Sequence, residues 1–374
     1  FWLKPIGSSP SKPGQDMRSF RRVVDEIRKW MPFRLCEKAT LLGRSYDCSE
    51  DCEREALLED FSSRLLLTYR SGLQPPLQLT DGGTLSADSG WGCMLRVMQM
   101  ILAQCLIELE LGREWRFEDS RDLVADSKYL QIAGLFLDVP EAPFSLHRFV
   151  AGGQQFLGKA PGTWFGPTSA AQVASHVFDG LTACSSSLPA FLQRLGCVVF
   201  SDGPIYRANV QQRFQSGCDA VIILVCQRLG LDCVNPDLHK PGLEACFQLP
   251  EFQGLASGNS TTSAHYFLAT HGDSLLFLDP HQTQPALCSA DDIVASAGLR
   301  AQRPLPLPWS SLNPSICMAF LVTSSDAFDG LCEQLRQGPF QEIFEILERE
   351  LDYSAADALQ ADQLLEDDDM LILQ

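Results

Sequence analysis

Residues 86–104 read SADSGWGCMLRVMQMILAQ. The first seven are loop chemistry, rich in Ser, Asp and Gly. From Met94 onward, Met94, Leu95, Met98, Ile101, Leu102, Cys105, Leu106 and Leu109 recur at helical spacing. Cys93 therefore stands at a loop-to-helix junction. A thiol must become a thiolate to attack a carbonyl. The N-terminus of a helix favours that negative charge, by about 0.3–1 kcal/mol when exposed and up to ~2 kcal/mol when partly buried. Gly90 and Gly92, on either side of Trp91, let backbone and substrate come close. Taken alone, Cys93 also reads as one more buried thiol, like Cys105 on the same helix.

A second segment changes the balance. SAHYFLAT (263–270) and SLLFLDPH (274–281) read as strands joined by His271-Gly272-Asp273, a tight-turn composition, and so as a hairpin. Side chains two apart on a strand share a face, which would set Leu275, Phe277, Asp279 and His281 on one side. Pro280 marks the end of regular pairing. A carboxylate beside an imidazole can fix its tautomer and stabilise the imidazolium. Alone, Asp279-Pro280-His281 reads first as a turn in which Asp279 caps local backbone and His281 is incidental. A Cys at a helix start together with a His on a distant strand is what a papain-like site requires. The third member is unusual, because it precedes the His by two residues on the same strand.

The rest of the chain sets the context. At 374 residues, 45% hydrophobic and 20% charged, it reads as globular. A net charge of −18 argues against nucleic acid as a partner. Positive charge gathers in 1–38, whereas 341–374 hold eleven acids against Arg349. The fourteen Cys are scattered, many in apolar runs; only Cys48 and Cys52 lie close together, and no zinc pattern is complete. Reduced thiols of a cytoplasmic protein are expected, with no metal and no cofactor. No apolar run approaches the ~18–20 residues that span a bilayer. The chain begins at Phe1 and not Met, so a missing leading segment is expected. Residues 16–31 form an amphipathic stripe of Met17, Phe20, Val23, Val24, Ile27 and Trp30 beside basic residues, suited to packing on the domain or lying on a membrane surface. Residues 39–69 read as a short extended piece and a helix, 71–90 as a loop, and AVIILV (220–225) as the strongest strand. From about 355 onward the chain is expected to be disordered.

At this point a resemblance enters. The 86–104 segment and SLLFLDPHQTQPA (274–286) closely resemble the two motif segments of the autophagy cysteine proteases, the autophagin family. LLGRSY (41–46), SRLLLTYR (63–70), TWFGPTSAAQV (163–173), LGLDCVNP (229–236) and SAHYF (263–267) match in the same order, so the resemblance covers roughly residues 40–325. It implies an α+β, papain-like fold with a small inserted auxiliary domain. It divides the chain into a flexible basic extension (1–38), a catalytic domain (39–335) with the insertion at roughly 180–260, and a helix plus acidic tail (336–374). It implies cleavage of the C-terminal tail of a ubiquitin-like autophagy modifier after glycine. It also implies removal of the modifier from phosphatidylethanolamine, with peripheral contact to autophagic membranes. Carried over by position, Cys93 is the nucleophile, His281 the base, Asp279 its orienting partner and Tyr69 an oxyanion donor. Trp164 covers the site, and Trp91 is read as the other wall of a narrow cleft. Without the resemblance, Tyr69 reads as a packed tyrosine and Trp164 as a core residue.

Two departures stand out. Where family members carry a Gly-Gly-Lys-Pro-like gating run, this chain has Ser257-Gly258-Asn259-Ser260, and Val97-Met98 replaces a common Cys-Gly. The family's C-terminal docking motif of acids, an aromatic, two residues and an aliphatic is echoed by 366–373, with Met370 in place of the aromatic. Phe344-Glu345-Ile346-Leu347 fits the motif better but reads as part of a helix. Two other functions compete: a catalytically silent module that binds the modifier, and a thiol hydrolase of a different ubiquitin-like modifier.

Overall fold

In a computed structural model the described residues are 35, 37–117, 123–182, 188–201, 203–259, 263–296, 299 and 303–350. The chain enters through two short strands, β1 (Lys38–Leu41) and β2 (Arg44–Asp47), and helix α1 (Asp51–Ser62). Short strands β3 (Arg70–Ser71), β4 (Leu77–Gln78) and β5 (Thr84–Leu85) punctuate the loop before helix α2 (Cys93–Leu111). Helices α3 (Leu123–Gly134), α4 (Leu146–Leu157), α5 (Pro167–Thr182) and α6 (Ala190–Gln193) follow. The second half alternates: β6 (Leu195–Phe200), β7 (Ile205–Tyr206), α7 (Arg207–Gln215), β8 (Ala220–Arg228), α8 (Pro236–Cys246) and β9 (Phe252–Ser257). It ends with β10 (His265–His271), β11 (Ser274–Leu278), β12 (Gln284–Pro285), α9 (Ala290–Ala295), β13 (Leu305–Pro308), β14 (Ser315–Val322), α10 (Ser325–Leu335) and β15 (Ile346–Leu347).

A nine-stranded sheet in the order β13-β11-β10-β9-β14-β8-β6, with β1 paired to β10 and β2 to β1, forms the middle layer. Period-two alternation gives that sheet two apolar faces. On β8, Ala220, Ile222, Leu224 and Cys226 join one core, and Val221, Ile223 and Val225 the other. On β14, Cys317, Ala319 and Leu321 take the first side, and Met318, Phe320 and Val322 the second. Helices α1, α2, α4 and α5 fill the first core, and α7, α8 and α10 the second. The α+β class read from the sequence is the observed one. The stretch 180–260, where an insertion is expected, contributes β6, β8 and β9 to the central sheet.

Helix α2 is buried on every side from Cys93 to Ile107. A helix buried all round must satisfy each of its polar side chains. Arg96 meets Asp88, Gln99 donates to the Phe144 carbonyl at 2.6 Å, and Gln104 donates to Gln253 and accepts from Arg64. The expected hairpin forms as β10 and β11, with His271 opposite Ser274 and Gly272 at φ +54° in the turn.

One expectation is corrected. No α-helix follows α10 among the described residues. Gly338 at φ +57° and Pro339 end helical continuation, a short 3-10 turn spans Gly338–Glu342, and Ile346–Leu347 become β15, parallel to β7. Phe344 is buried in the second core, and Ile346–Leu347 pair with Ile205–Tyr206 of β7. The basic helix at 16–31, the tail from 355 and the acidic motif at 366–373 lie outside the described residues.

Candidate active site

Three chain segments meet in front of the N-terminus of α2. The first is the loop 86–92. Gly90 takes φ +87°, and Gly92 is the residue before the helix. A Cβ on Gly92 would lie 2.7 Å from Cβ of Asp88, so only glycine lets the loop fold back this tightly. No side chain caps α2, which leaves its first N–H groups unpaired and pointing out of the helix. Cys93 opens this helix and is fully buried.

The second segment is 279–285. Strand β11 stops at Leu278, three residues short of His281, so alternation does not set Asp279 and His281 on one strand face. Pro280 has no N–H to continue the ladder. A local turn makes the pairing instead: Oδ1 of Asp279 accepts the backbone N–H of His281 at 3.0 Å and its ring Nδ1–H at 2.5 Å. The ring nitrogen bonded to the carboxylate is thereby fixed, which leaves Nε2 for the thiol.

The third segment carries Tyr69. Its backbone N–H donates to Pro280 O at 2.8 Å, and its carbonyl accepts from Gln284 N at 2.9 Å. Strands β3 and β12 extend this link in parallel. The Tyr69 ring stands edge-on to His281 with centroids 5.4 Å apart.

Four buried charges fasten the segments together. Asp88 accepts from Arg70 N at 2.5 Å and from Arg96 Nε at 2.6 Å. Asp138 accepts from Leu287 N at 2.9 Å, with Arg96 Nη1 at 2.9 Å and Arg70 Nε at 3.8 Å. Arg70, Asp88, Arg96 and Asp138 are each at most 1% exposed. Removing one partner of such a buried pair typically costs about 3–5 kcal/mol. Sequence reading missed these residues because their pairing joins positions such as Asp138 and Leu287, 149 apart, and leaves no local pattern.

The electrostatics favour a thiolate–imidazolium pair. Burial pushes the Cys93 thiol up, but hydrogen bonds from His281 and Tyr69 and the His281 charge outweigh it and hold the thiol below its ordinary value. The Trp164 indole N–H, close by, lowers it further. The Asp279 and Cys93 hydrogen bonds raise His281 to about 9, against the desolvation that lowers it. Burial would raise Asp279, but its bonds to His281 keep it below the usual carboxylate range. Burial and then the Cys93 hydrogen bond raise the Tyr69 hydroxyl, so it stays protonated and able to donate.

Cys93, His281, Asp279, Tyr69 and Trp164 thus come together. Trp91 sits differently: it is buried, and its indole N–H donates to the Ala87 carbonyl at 3.2 Å beneath the loop. Ser257 is fully buried, with its hydroxyl bonding the Asn313 and Ser315 carbonyls, and Asn259 N donates to Ser263 Oγ at 3.3 Å; Ser260 lies outside the described residues. Val97 and Met98 are buried core residues of α2.

Residues 54–334 match the family model described as the peptidase C54 catalytic domain. A probable cysteine protease atg4 of Sclerotinia sclerotiorum is 31% identical over 321 residues, covering 79% of this chain and 70% of that protein. One of Botryotinia fuckeliana is 33% identical over 293 residues, covering 71% of this chain and 64% of that protein. One of Aspergillus oryzae is 33% identical over 306 residues, covering 74% of this chain and 70% of that protein. The chain therefore spans about two thirds of the length of these relatives. The mixed helix-and-sheet architecture together with this match establishes an α+β, papain-like fold, and the chain belongs to the peptidase C54 family of cysteine proteases.

Proposed function

We propose that this cysteine protease cuts the C-terminal tail of a ubiquitin-like autophagy modifier after a glycine and frees the same modifier from phosphatidylethanolamine. The observation that carries the catalytic part is the Cys93 thiol on an uncapped helix N-terminus, its pKa lowered by a His281 that Asp279 holds at 2.5 Å. The motif resemblance and the relatives named atg4 support the substrate.

Cys93 thiolate attacks the glycine carbonyl carbon, and the C=O π electrons move onto oxygen. The backbone N–H of Cys93 and the Tyr69 hydroxyl hold that oxyanion. His281 gives its Nε2 proton to the departing nitrogen as the C–N bond breaks, which leaves a thioester. A water then loses a proton to His281, attacks the thioester and releases the glycine carboxylate and the thiolate. A peptide nitrogen and the amine of phosphatidylethanolamine are equivalent leaving groups, so one site serves both reactions. Trp164 covers the reacting thiol and leaves room only for a slender substrate tail. The chemistry needs a reduced thiol, which the cytoplasm supplies. Among the described residues no helix is long and apolar enough to cross a membrane. Access to the lipid-linked substrate is therefore assigned to peripheral contact.

Incubation with a panel of purified ubiquitin-like modifier precursors tests this reading. Mass spectrometry should find a product ending at glycine for an autophagy modifier and none for ubiquitin. Equal cutting of the whole panel, or no cutting of any autophagy modifier, would refute it. Tyr69→Phe should lower kcat by about 10²–10³-fold with KM little changed, because the hydroxyl bonds an oxygen charged only in the transition state. Steady-state kinetics on a precursor check this, and an effect confined to KM would remove Tyr69 from the oxyanion role.

A further inference from the structure

His265 has no role in the chemistry above, yet it adjoins it. It opens β10, and the antiparallel register pairs the next residue, Tyr266, with Leu278 of β11. Continued by one position, that register sets His265 beside Asp279. His265 is 6% exposed, lies on the Phe277 ring with centroids 4.3 Å apart, and meets the His281 ring at 5.4 Å. Its Nε2 is 3.9 Å from Oδ1 of Asp279, the same oxygen that accepts both His281 bonds. Its Nδ1 is buried without a partner.

A core imidazole with no close hydrogen bond calls for an explanation, because an apolar ring fills such a place without burying an unpaired nitrogen. Burial pushes its pKa down to about 4, against the pull of Asp279, so the ring is neutral at ordinary pH. The carboxylate faces Nε2 and nothing faces Nδ1, so the tautomer with the proton on Nε2 is favoured. That N–H dipole points at the Asp279 carboxylate without adding a charge that would compete with His281. The ligand atoms of His265, Asp279 and His281 lie within 4.8 Å of one another, which raises the question of a metal. Two ligands on a tetrahedral zinc stand roughly 3.3 Å apart. The 2.5 Å bond between Asp279 and His281 leaves no such gap, and the cluster is better read as a hydrogen-bonded Asp279–His281 pair with His265 alongside.

We propose that His265 is a positioning residue: its Nε2–H holds the Asp279 carboxylate turned toward His281 and so keeps the base in its working orientation. This rests on the assignment of Cys93, His281 and Asp279 above. Asp279 is 38% exposed at its side chain, and among the described residues His281 alone hydrogen-bonds it through a side chain. Without the neighbouring imidazole only the two His281 bonds hold the carboxylate against solvent. At 3.9 Å the Nε2–H acts on the carboxylate as a dipole and not as a close hydrogen bond, a separation of the kind that often tightens only in a substrate complex.

Two substitutions separate a donor from a packing ring. His265→Gln keeps a side-chain N–H and loses the ring, whereas His265→Phe keeps the ring and loses the N–H. On a modifier precursor, His265→Phe should lower kcat by about tenfold or more with KM within twofold, and His265→Gln should stay within about threefold of wild type. A role confined to packing on Phe277 gives the reverse order and overturns the proposal, as do two variants equal to wild type or two equally impaired. Melting temperatures accompany the kinetics, so that a kcat loss in a folded His265→Phe is assigned to position and not to unfolding. Alkylation of wild-type Cys93 by a neutral haloacetamide at about pH 6 is the control on the underlying assignment. A slow wild-type thiol overturns that assignment and this proposal together, whereas a fast one with the reversed order overturns the proposal alone.

Discussion

Cys93→Ala should abolish cleavage of modifier precursors, by about 10⁶-fold in kcat, while the protein stays folded. The size of the loss follows from the unit that Cys93 forms with His281: loss of either member of such a pair removes nearly all of its rate enhancement. The fold is spared because alanine fits where cysteine stood and retains the glycine-rich turn before it. The Asp88–Arg96 clasp that holds that turn does not involve the thiol. A second readout ties the loss to the pair. Asp279 first and Cys93 next raise His281 to about 9, so loss of the sulfur should move its titration downward while Asp279 keeps part of the shift. Cleavage assays, thermal melts and imidazole NMR titration of the variant read all three. Cutting at near wild-type rate would remove Cys93 from the chemistry, and an unmoved His281 titration would separate the two groups.

Asp279→Asn should lower kcat by about 10⁴-fold and leave modifier binding intact, by analogy with the wrong-tautomer effect in serine-protease triads. The amide can turn an N–H toward Nδ1 of His281, which places the imidazole proton on the nitrogen that should face the thiol as acceptor. The pH profile should narrow as well. The carboxylate is the largest cause of the raised His281 pKa, so its loss moves the alkaline limb down from about pH 9. A weaker imidazolium stabilises the thiolate less, so the acid limb moves up. A loss under tenfold with an unchanged profile would mean that another group orients His281.

How much of this was legible in the chain depends on how local each signal is. Cys93 was readable because a Gly-rich loop and a 3.6-residue period meet at one residue. The β10–β11 hairpin was readable because turn chemistry sits between two apolar runs. The Asp279–His281 pairing was anticipated for a reason that the structure changes: strand alternation stops at Leu278, and a turn around Pro280 brings the groups together. Trp91 was read as a cleft wall, yet its indole is tied to Ala87 beneath the loop, an i−4 bond that spacing alone does not announce. The end of α10 was overrun because Phe344-Glu345-Ile346-Leu347 has helical spacing, whereas Gly338, Pro339 and the distant partner β7 decide its conformation. The Arg70–Asp88–Arg96–Asp138 cluster and His265 were not legible as site residues, since each acquires its neighbours only when the sheet and α2 assemble.

The central claim is that Cys93 and His281 form a thiolate–imidazolium pair at neutral pH, and the rate of Cys93 alkylation by a neutral haloacetamide across pH, with the labelled residue mapped by mass spectrometry, tests it most directly. An ordinary thiol reacts with a midpoint near its pKa of about 8.5. The structure lowers Cys93 from its ordinary value and raises His281 to about 9, so Cys93 should alkylate at pH values where exposed Cys52, Cys233 and Cys288 are still slow. A Cys93 that reacts only as pH rises through about 8.5, no faster than those exposed thiols, would contradict the account.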